Sequence, residues 1–381
     1  MLAVASVVAA VGTATGMLTA LGEEGGGGAD QARPAVVRTT AVRTSEATAV
    51  RTAASAPRET TSSRTPSGSA APAPKPAPTP RRATASPAAP TVQKEQGPRL
   101  YRHPESQVND WVRANPDDPR AAVIADRIAD RPAAVWFADF APATITSRVR
   151  SVTSAAAAQG RVPVLVPYAI PDRDCGGASQ GGAPDLRAYD GWIDAFARGL
   201  GSGEVIVILE PDSVAQSGCL SAAHRAARFA SLARAGRVLK SAGPRTRVYY
   251  DAGHSGWNPP ARQAALLGQA GARSGDGIFS NVSNFRATAD EIAYDRRVLD
   301  ALGGPASLGA VIDTSRNGNG PPANGAWCDP AGRRIGQEPT LHTGQARIDA
   351  YLWIKLPGES DGCKGAAGTF TPSYAYDLAS S

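Results

Sequence analysis

Glu210 and Asp212 close a run of five apolar residues in the stretch VIVILEPDS, 205–213. A carboxylate placed there has two ordinary uses. It can cap the next helix, whose first N–H groups are unpaired. Or it can do acid/base work, since α/β enzymes collect such groups at the C-terminal ends of their strands. The same arrangement recurs along the chain. Asp139 follows the apolar run 134–138, and Tyr168, Arg173 and Asp174 follow 162–168. Asp251 and His254 follow 246–251, Asn281 and Asn284 follow 277–282, and Asp313 and Arg316 follow 308–313. Lys355, Glu359 and Asp361 attend the last run, 351–356. Capping explains one or two such groups, not seven sets.

Several acids on one rim, without metal-binding histidines, suit general acid–base chemistry on a neutral polymer. Glycoside hydrolysis is the leading case. One carboxyl group stays protonated near neutral pH, held so by burial or by a neighbouring carboxylate, and the other draws a proton from water or attacks the sugar. A carboxyl separation of about 5–5.5 Å goes with retention and about 6.5–9.5 Å with inversion; sequence does not give that distance. Trp136, Tyr168, Trp257 and Trp327 lie near the same loops and offer flat faces for sugar rings. Trp136 reads equally well as core, and Trp111, Trp192 and Trp353 fall within helix or strand patterns and read as core.

Other chemistries fit less well. GHSGW, 253–257, lacks the final glycine of a serine-hydrolase elbow at the right offset. GDG at 275–277 and GNG at 318–320 lack the strand–loop–helix setting of a phosphate loop and read as turns. His103, His224, His254 and His342 form no H-E-x-x-H or H-x-H motif, and the four cysteines form no C-x-x-C pair. No metal and no cofactor is expected. Cys175, Cys219, Cys328 and Cys363 suit two disulfides in an exported protein, and their spacing leaves three pairings open.

The elements that must position these groups alternate. Helix-like stretches at 145–159, 185–200, 220–242, 260–271, 287–303 and 341–350 separate the seven apolar runs. Strand–helix alternation of this kind calls for parallel strands. A strand between helices on one side and a barrel interior on the other is apolar throughout, as VIVIL is. Seven units predict a β/α barrel one strand short of eight, with an open doubly wound sheet as the alternative.

The rest of the chain is a different material. Residues 1–21 carry no charged side chain and read as a secretory signal or a membrane anchor. Residues 22–98 hold eleven prolines among Ala, Thr, Ser and Gly, and read as a disordered linker. Ten Lys/Arg against six Asp/Glu place +4 of the net +6 in that segment, so the folded part, 99–381, is close to neutral. That argues against a nucleic-acid partner, which needs a basic patch on the folded part.

VPYAIPDRDCGGASQGG (166–182) and VIVILEPDSVA (205–215) resemble the two signature motifs of glycoside hydrolase family 6, the inverting cellulases. YYDAGHSGW, SNVSNF, IDTSRNGNGP, WCDPAGRRIG and WIKLPGESDGC continue the resemblance in order over 99–381, with Gln180 departing from the small residue expected there. The resemblance implies a distorted seven-stranded parallel β/α barrel. It implies Asp212 as general acid, Asp174 as the neighbour that raises its pKa, Asp361 as the usual candidate for the base, and Asp251 as a supporting carboxylate. Tyr168 is implied beneath the distorted sugar, and Lys355, Glu359, His254, Trp257 and Trp327 at sugar-binding positions. Trp136 and Asn281 join these as rim residues facing substrate. The pairing Cys175–Cys219 with Cys328–Cys363 is likewise implied. The expected partner is a β-1,4-glucan, and the expected protein a secreted or anchored monomer. A non-catalytic β-glucan-binding protein on the same scaffold and a chain-end-acting cellobiohydrolase are the alternatives. Chain-end enzymes of the family roof the cleft with two long loops. Here about ten glycine-rich residues separate Cys175 from Asp185, and only twenty residues follow Asp361. An open cleft and endo-action are therefore expected.

Overall fold

A computed structural model describes residues 99–380. The apolar segment 1–21 and the linker 22–98 lie outside the described residues.

Seven strands form one parallel sheet in chain order: β2 (Val135–Phe137), β4 (Val164–Pro167), β5 (Val205–Leu209), β6 (Thr246–Asp251), β7 (Gly277–Ser280), β8 (Gly309–Asp313) and β9 (Ile348–Leu352). Two further short strands, β1 (Arg99–Leu100) and β3 (Arg161–Val162), pair beside it. Helices α3 (Ile145–Ala158), α4 (Leu186–Ala197), α5 (Ala222–Ala242), α6 (Pro260–Gln269) and α7 (Thr288–Leu302) make the crossovers.

Alternation along the strands makes two cores. Leu165, Val205, Val207 and Leu209 pack outward among the helices. Val164, Val166, Ile206 and Ile208 pack inward with Tyr249, Phe279 and Val311. Successive side chains of a strand point to opposite faces, so a strand buried on both must be apolar at every position. The helices press close: a Cβ on Gly236 of α5 would lie 1.7 Å from Tyr250 Oη.

The barrel does not close. Its edge strands β2 and β9 form no ladder. At their ends one backbone bond, Ala134 N–H to Trp353 O at 2.9 Å, and one side-chain bond, Trp136 Nε1–H to Ile354 O at 2.7 Å, cross the seam. Helices α1 (Gln107–Ala114), α2 (Ala121–Ile124) and α8 (Pro372–Ser380) gather beside it, on a third cluster that includes Ile124, Ile128, Trp353, Tyr374 and Leu378.

One expected helix is absent. Residues 341–350 run irregularly into β9, which starts at Ile348 rather than at 351. Gly344 (φ 67°) and Arg347 (φ 63°) are left-handed, which a helix does not accept. Thr343 Oγ1 holds the turn by accepting from Gln345 N–H at 3.1 Å. Trp192 and Trp353 are core, as read.

Candidate active site

The chain after β5 turns sharply, with Glu210 (φ 50°) and Asp212 (φ 69°) both left-handed. Asp172, Asp174 and Cys175 after β4, and Asn281 and Ser283 after β7, share that conformation. Non-glycine residues seldom adopt it, and such strain collects at functional sites.

The turn sends the two acids apart. Glu210 is fully buried and accepts from the N–H groups of Ala169 at 3.0 Å and Ile170 at 3.1 Å. Burial pushes its pKa up to about 7 against those bonds. Its hydrogen bonds come from backbone amides, which makes it a structural residue of the loop after β4. The nearby Arg228 donates to the carbonyls of Pro171 and Asp172, at 2.7 and 3.0 Å. Both residues hold the loop that presents Asp174.

Asp212 faces the cleft. Burial, then Asp251, then Asp174 push its pKa up to about 8, against a hydrogen bond from Tyr168 and the charge of Lys355. It therefore keeps its proton at neutral pH. Asp174 Oδ2 accepts from Ser179 N–H at 2.9 Å and Ser179 Oγ at 3.0 Å. The same Oγ lies 2.9 Å from the Tyr168 hydroxyl. Gly177 is required here, since a Cβ would sit 2.5 Å from Asp174 Oδ2. Asp251 Oδ2 accepts from Val214 and Ala215 N–H at 3.0 and 2.8 Å, and Oδ1 from Gly253 N–H at 2.9 Å. Burial raises its pKa and those bonds oppose the rise. It fixes the segment just beyond Asp212.

Asp361 is engaged on both oxygens. Oδ2 accepts from Arg316 Nη1 at 2.9 Å and from Asp329 N–H at 3.2 Å, and Oδ1 lies 3.5 Å from Lys355 Nζ. Asp329 is a residue that the sequence reading missed. Its carboxylate accepts from Ser360 Oγ at 2.6 Å and from the N–H groups of Asp361, Cys363 and Lys364 at 2.8, 3.0 and 2.9 Å. Burial works to raise its pKa, but the Ser360 and backbone bonds prevail and lower it. Ser179 was missed likewise. Neither has a signal in the local sequence, because each is marked only by the carboxylate or turn that it touches in the fold.

The cleft, about 1190 Å³, takes lining residues from both sides of the seam, among them Trp136, Tyr168, Asp174, Asp212, Lys355 and Asp361. His254, Trp257, Trp327 and Glu359 line it too. Trp327 is 59 % exposed, while Trp136 is half-buried and meets the Tyr168 ring edge-on at 5.2 Å. Trp136 thus serves as both wall and strut. The rings of His254 and Trp257 lie 5.2 Å apart, and burial, aided by the charge of Arg286, lowers the histidine pKa to about 4. Burial lifts Glu359 to about 7, against the charge of Lys355 and a bond from Gln107 Nε2 at 3.0 Å. Burial, then Arg316, lower Lys355. Asn281 is not at the cleft surface. It is fully buried, donating to Asp313 O at 2.9 Å and accepting from Arg286 N–H at 3.0 Å, while Asn284 lines the cleft. Asp139 stays exposed, 4.0 Å from Arg148.

Two disulfides pair as the resemblance implies. Cys175–Cys219 joins the loops of Asp174 and Asp212, and Cys328–Cys363 brackets Asp329 and Asp361. Among the described residues, no group of three or more His, Cys, Asp and Glu side chains is placed to hold a metal ion.

A protonated aspartic acid among other carboxylates, in a long cleft walled by aromatic rings at the strand ends of a β/α barrel, is the equipment of a glycoside hydrolase. The family model for glycosyl hydrolases family 6 matches residues 96–380, and the chain belongs to that family. It is 54% identical over 282 residues to endoglucanase 1 of Streptomyces sp. (strain KSM-9), covering 74% of this chain and 77% of that protein. It is 49% identical over 282 residues to endoglucanase A of Thermobispora bispora, covering 74% of this chain and 61% of that one. Among solved structures it resembles the endoglucanase Cel6 from Mycobacterium tuberculosis, in complex with methyl-cellobiosyl-4-deoxy-4-thio-β-D-cellobioside. That likeness has a TM-score of 0.69 at 41% identity, covering 74% of this chain and 97% of that one.

Proposed function

We propose that the protein is an endo-acting cellulase that hydrolyses β-1,4-glucosidic bonds in cellulose or a related β-glucan with inversion. The observation that carries the reading is Asp212, held protonated to about pH 8 by burial and by Asp251 and Asp174 on the floor of an aromatic-walled cleft. In this reading Asp212 gives its proton to the leaving glycosidic oxygen. Asp174, fixed by Ser179, steadies the charge that develops on the sugar and orders water. Asp361 takes part as a carboxylate, and Asp251 holds the Asp212 loop in place. Arg316 and the Asp329 N–H hold Oδ2 of Asp361, and Oδ1, 3.5 Å from Lys355 Nζ, is the oxygen left to meet the attacking water. Tyr168 lies under the distorted sugar, and Trp136, Trp257, Trp327, His254, Lys355 and Glu359 hold the flanking units.

Endo-action rests on two short loops. Residues 176–184 and 362–371 are each too short to arch over a glucan chain and return, and the curated relatives at 41–54% identity are named endoglucanases. An exported monomer, with residues 1–21 as signal, fits the two disulfides. Among the described residues no helix is long and apolar enough to cross a membrane.

The test takes residues 1–381 on a soluble substituted cellulose. Viscosity should fall steeply while few reducing ends form, and NMR of early products should show the α-anomer. Slow viscosity loss with cellobiose as nearly the only early product would reject endo-action. Initial β-anomer would reject inversion.

A further inference from the structure

A second cavity, about 510 Å³, lies against the cleft. Gln216 and Trp257 line both, so the two share a wall. The side-chain amide of Gln216 has no hydrogen-bond partner among the described residues, whereas that of Asn258 is taken by Gln263 Oε1 at 2.9 Å. The cavity is also lined by Arg225, from the start of α5, and Arg262, from the start of α6. Neither guanidinium makes a hydrogen bond or ion pair among the described residues, and no carboxylate lines the cavity.

Arg316, Arg173 and Arg228 are committed, to Asp361, Ala138 O and Pro171 O, whereas Arg225 is half-buried and Arg262 exposed, both free to meet a ligand from solvent. Arg225 and Arg262 stand near helix N-termini, where the backbone already carries partial positive charge and favours anions. Neither helix has an acidic residue in its first turn to offset them. Two cations without counter-charge in one concave site make an anion receptor, and a guanidinium matches a carboxylate with two parallel N–H donors.

We propose that this cavity is a subsite for a carboxylate carried on the glucan, so that the protein takes β-1,4-glucan bearing uronic or carboxymethyl groups where the chain passes Trp257. The proposal rests on the β-glucanase reading above. Gln216 would meet the sugar hydroxyls at the shared wall, and Arg225 and Arg262 would hold the carboxylate.

The test compares kcat/KM on carboxymethylcellulose and on neutral hydroxyethylcellulose for the parent and for R225Q/R262Q. Exposed ion pairs change affinity by roughly two- to fivefold each. The double variant should therefore lose about 4- to 25-fold on the carboxylated polymer at low salt, and less than twofold on the neutral one. Salt near 0.5 M should erase most of the difference by screening. R262E should lose more on the carboxylated polymer than R262Q. Equal losses on both polymers, or none on either, would overturn the subsite. A parent inactive on both polymers would overturn the β-glucanase reading and this proposal with it.

Discussion

Arg316 donates from Nη1 to Asp361 Oδ2 at 2.9 Å, with its guanidinium fully out of water and stacked 4.6 Å from the Phe285 ring. A second acid, Asp329, stands 4.0 Å from the same nitrogen. The ion pair is therefore structural, and a substitution at Asp361 acts on the packing of the fold whatever it does to the reaction.

Asp361→Ala should lose stability as well as activity. Removing one partner of a buried ion pair leaves an uncompensated charge, at about 3–5 kcal/mol. Urea unfolding measures it. A loss under about 1 kcal/mol would mean that Asp329 or water takes over the charge, and the activity loss could then be read as purely catalytic.

Activity should fall on the alkaline side as Asp212 ionises, with an apparent midpoint about pH 8. The sign follows from its folded pKa lying above the ordinary 3.8. The protonated form is the one favoured, so the contribution to stability is full below about pH 4 and is lost as pH rises through about 8. Asp212→Asn should abolish that limb and lower kcat by roughly 10²–10⁴-fold. A pH–rate profile of parent and variant checks both, and an unchanged alkaline limb in the variant would remove Asp212 from the role.

Glu210→Gln should destabilise although it is nearly isosteric. Both carboxylate oxygens face backbone donors, and an amide nitrogen in either position meets an N–H group with another N–H. An unsatisfied buried group of that kind costs about 1–3 kcal/mol. The loop after β4 should loosen too, seen as faster amide exchange at Ala169 and Ile170.

Cys328→Ser with Cys363→Ser should lower activity more than the loss of global stability explains. The bridge spans 35 residues, which corresponds to roughly 2–4 kcal/mol in the chain-entropy model. It also brackets Asp329, whose carboxylate gathers the 360–364 turn. Kinetics at a temperature where both proteins remain folded separates the two effects. A variant that retains full kcat there would show that Asp329 suffices alone.

How much of this was legible depended on how local each feature is. The strands were readable because a barrel strand must be apolar on both faces. The loss of the 341–350 helix turned on Arg347 being left-handed, which no local composition demands. Asp212 and Asp174 stood in long motifs, and the fold brings both to the cleft. Ser179 and Asp329 act by pointing at another residue's carboxylate or turn, a relation that exists only once the chain is folded. Asn281 stood at a strand end like the others, yet its buried position sent its amide to Asp313 and Arg286. A strand end sets where a side chain starts, and the packing around it sets whether water or substrate can reach it.

The unclosed seam has a consequence for how such proteins diversify. In a closed eight-stranded barrel, the width of the mouth is bound to strand number and stagger, and changing it disturbs every ladder. Here two bonds, from Ala134 and Trp136, span the gap between β2 and β9. Substitutions and loop insertions near those bonds can widen or narrow the opening while the six ladders of the sheet keep their registers. The opening can thus change along one line of the molecule while Asp212 and Asp251, at the ends of β5 and β6 in the middle of the sheet, keep their places.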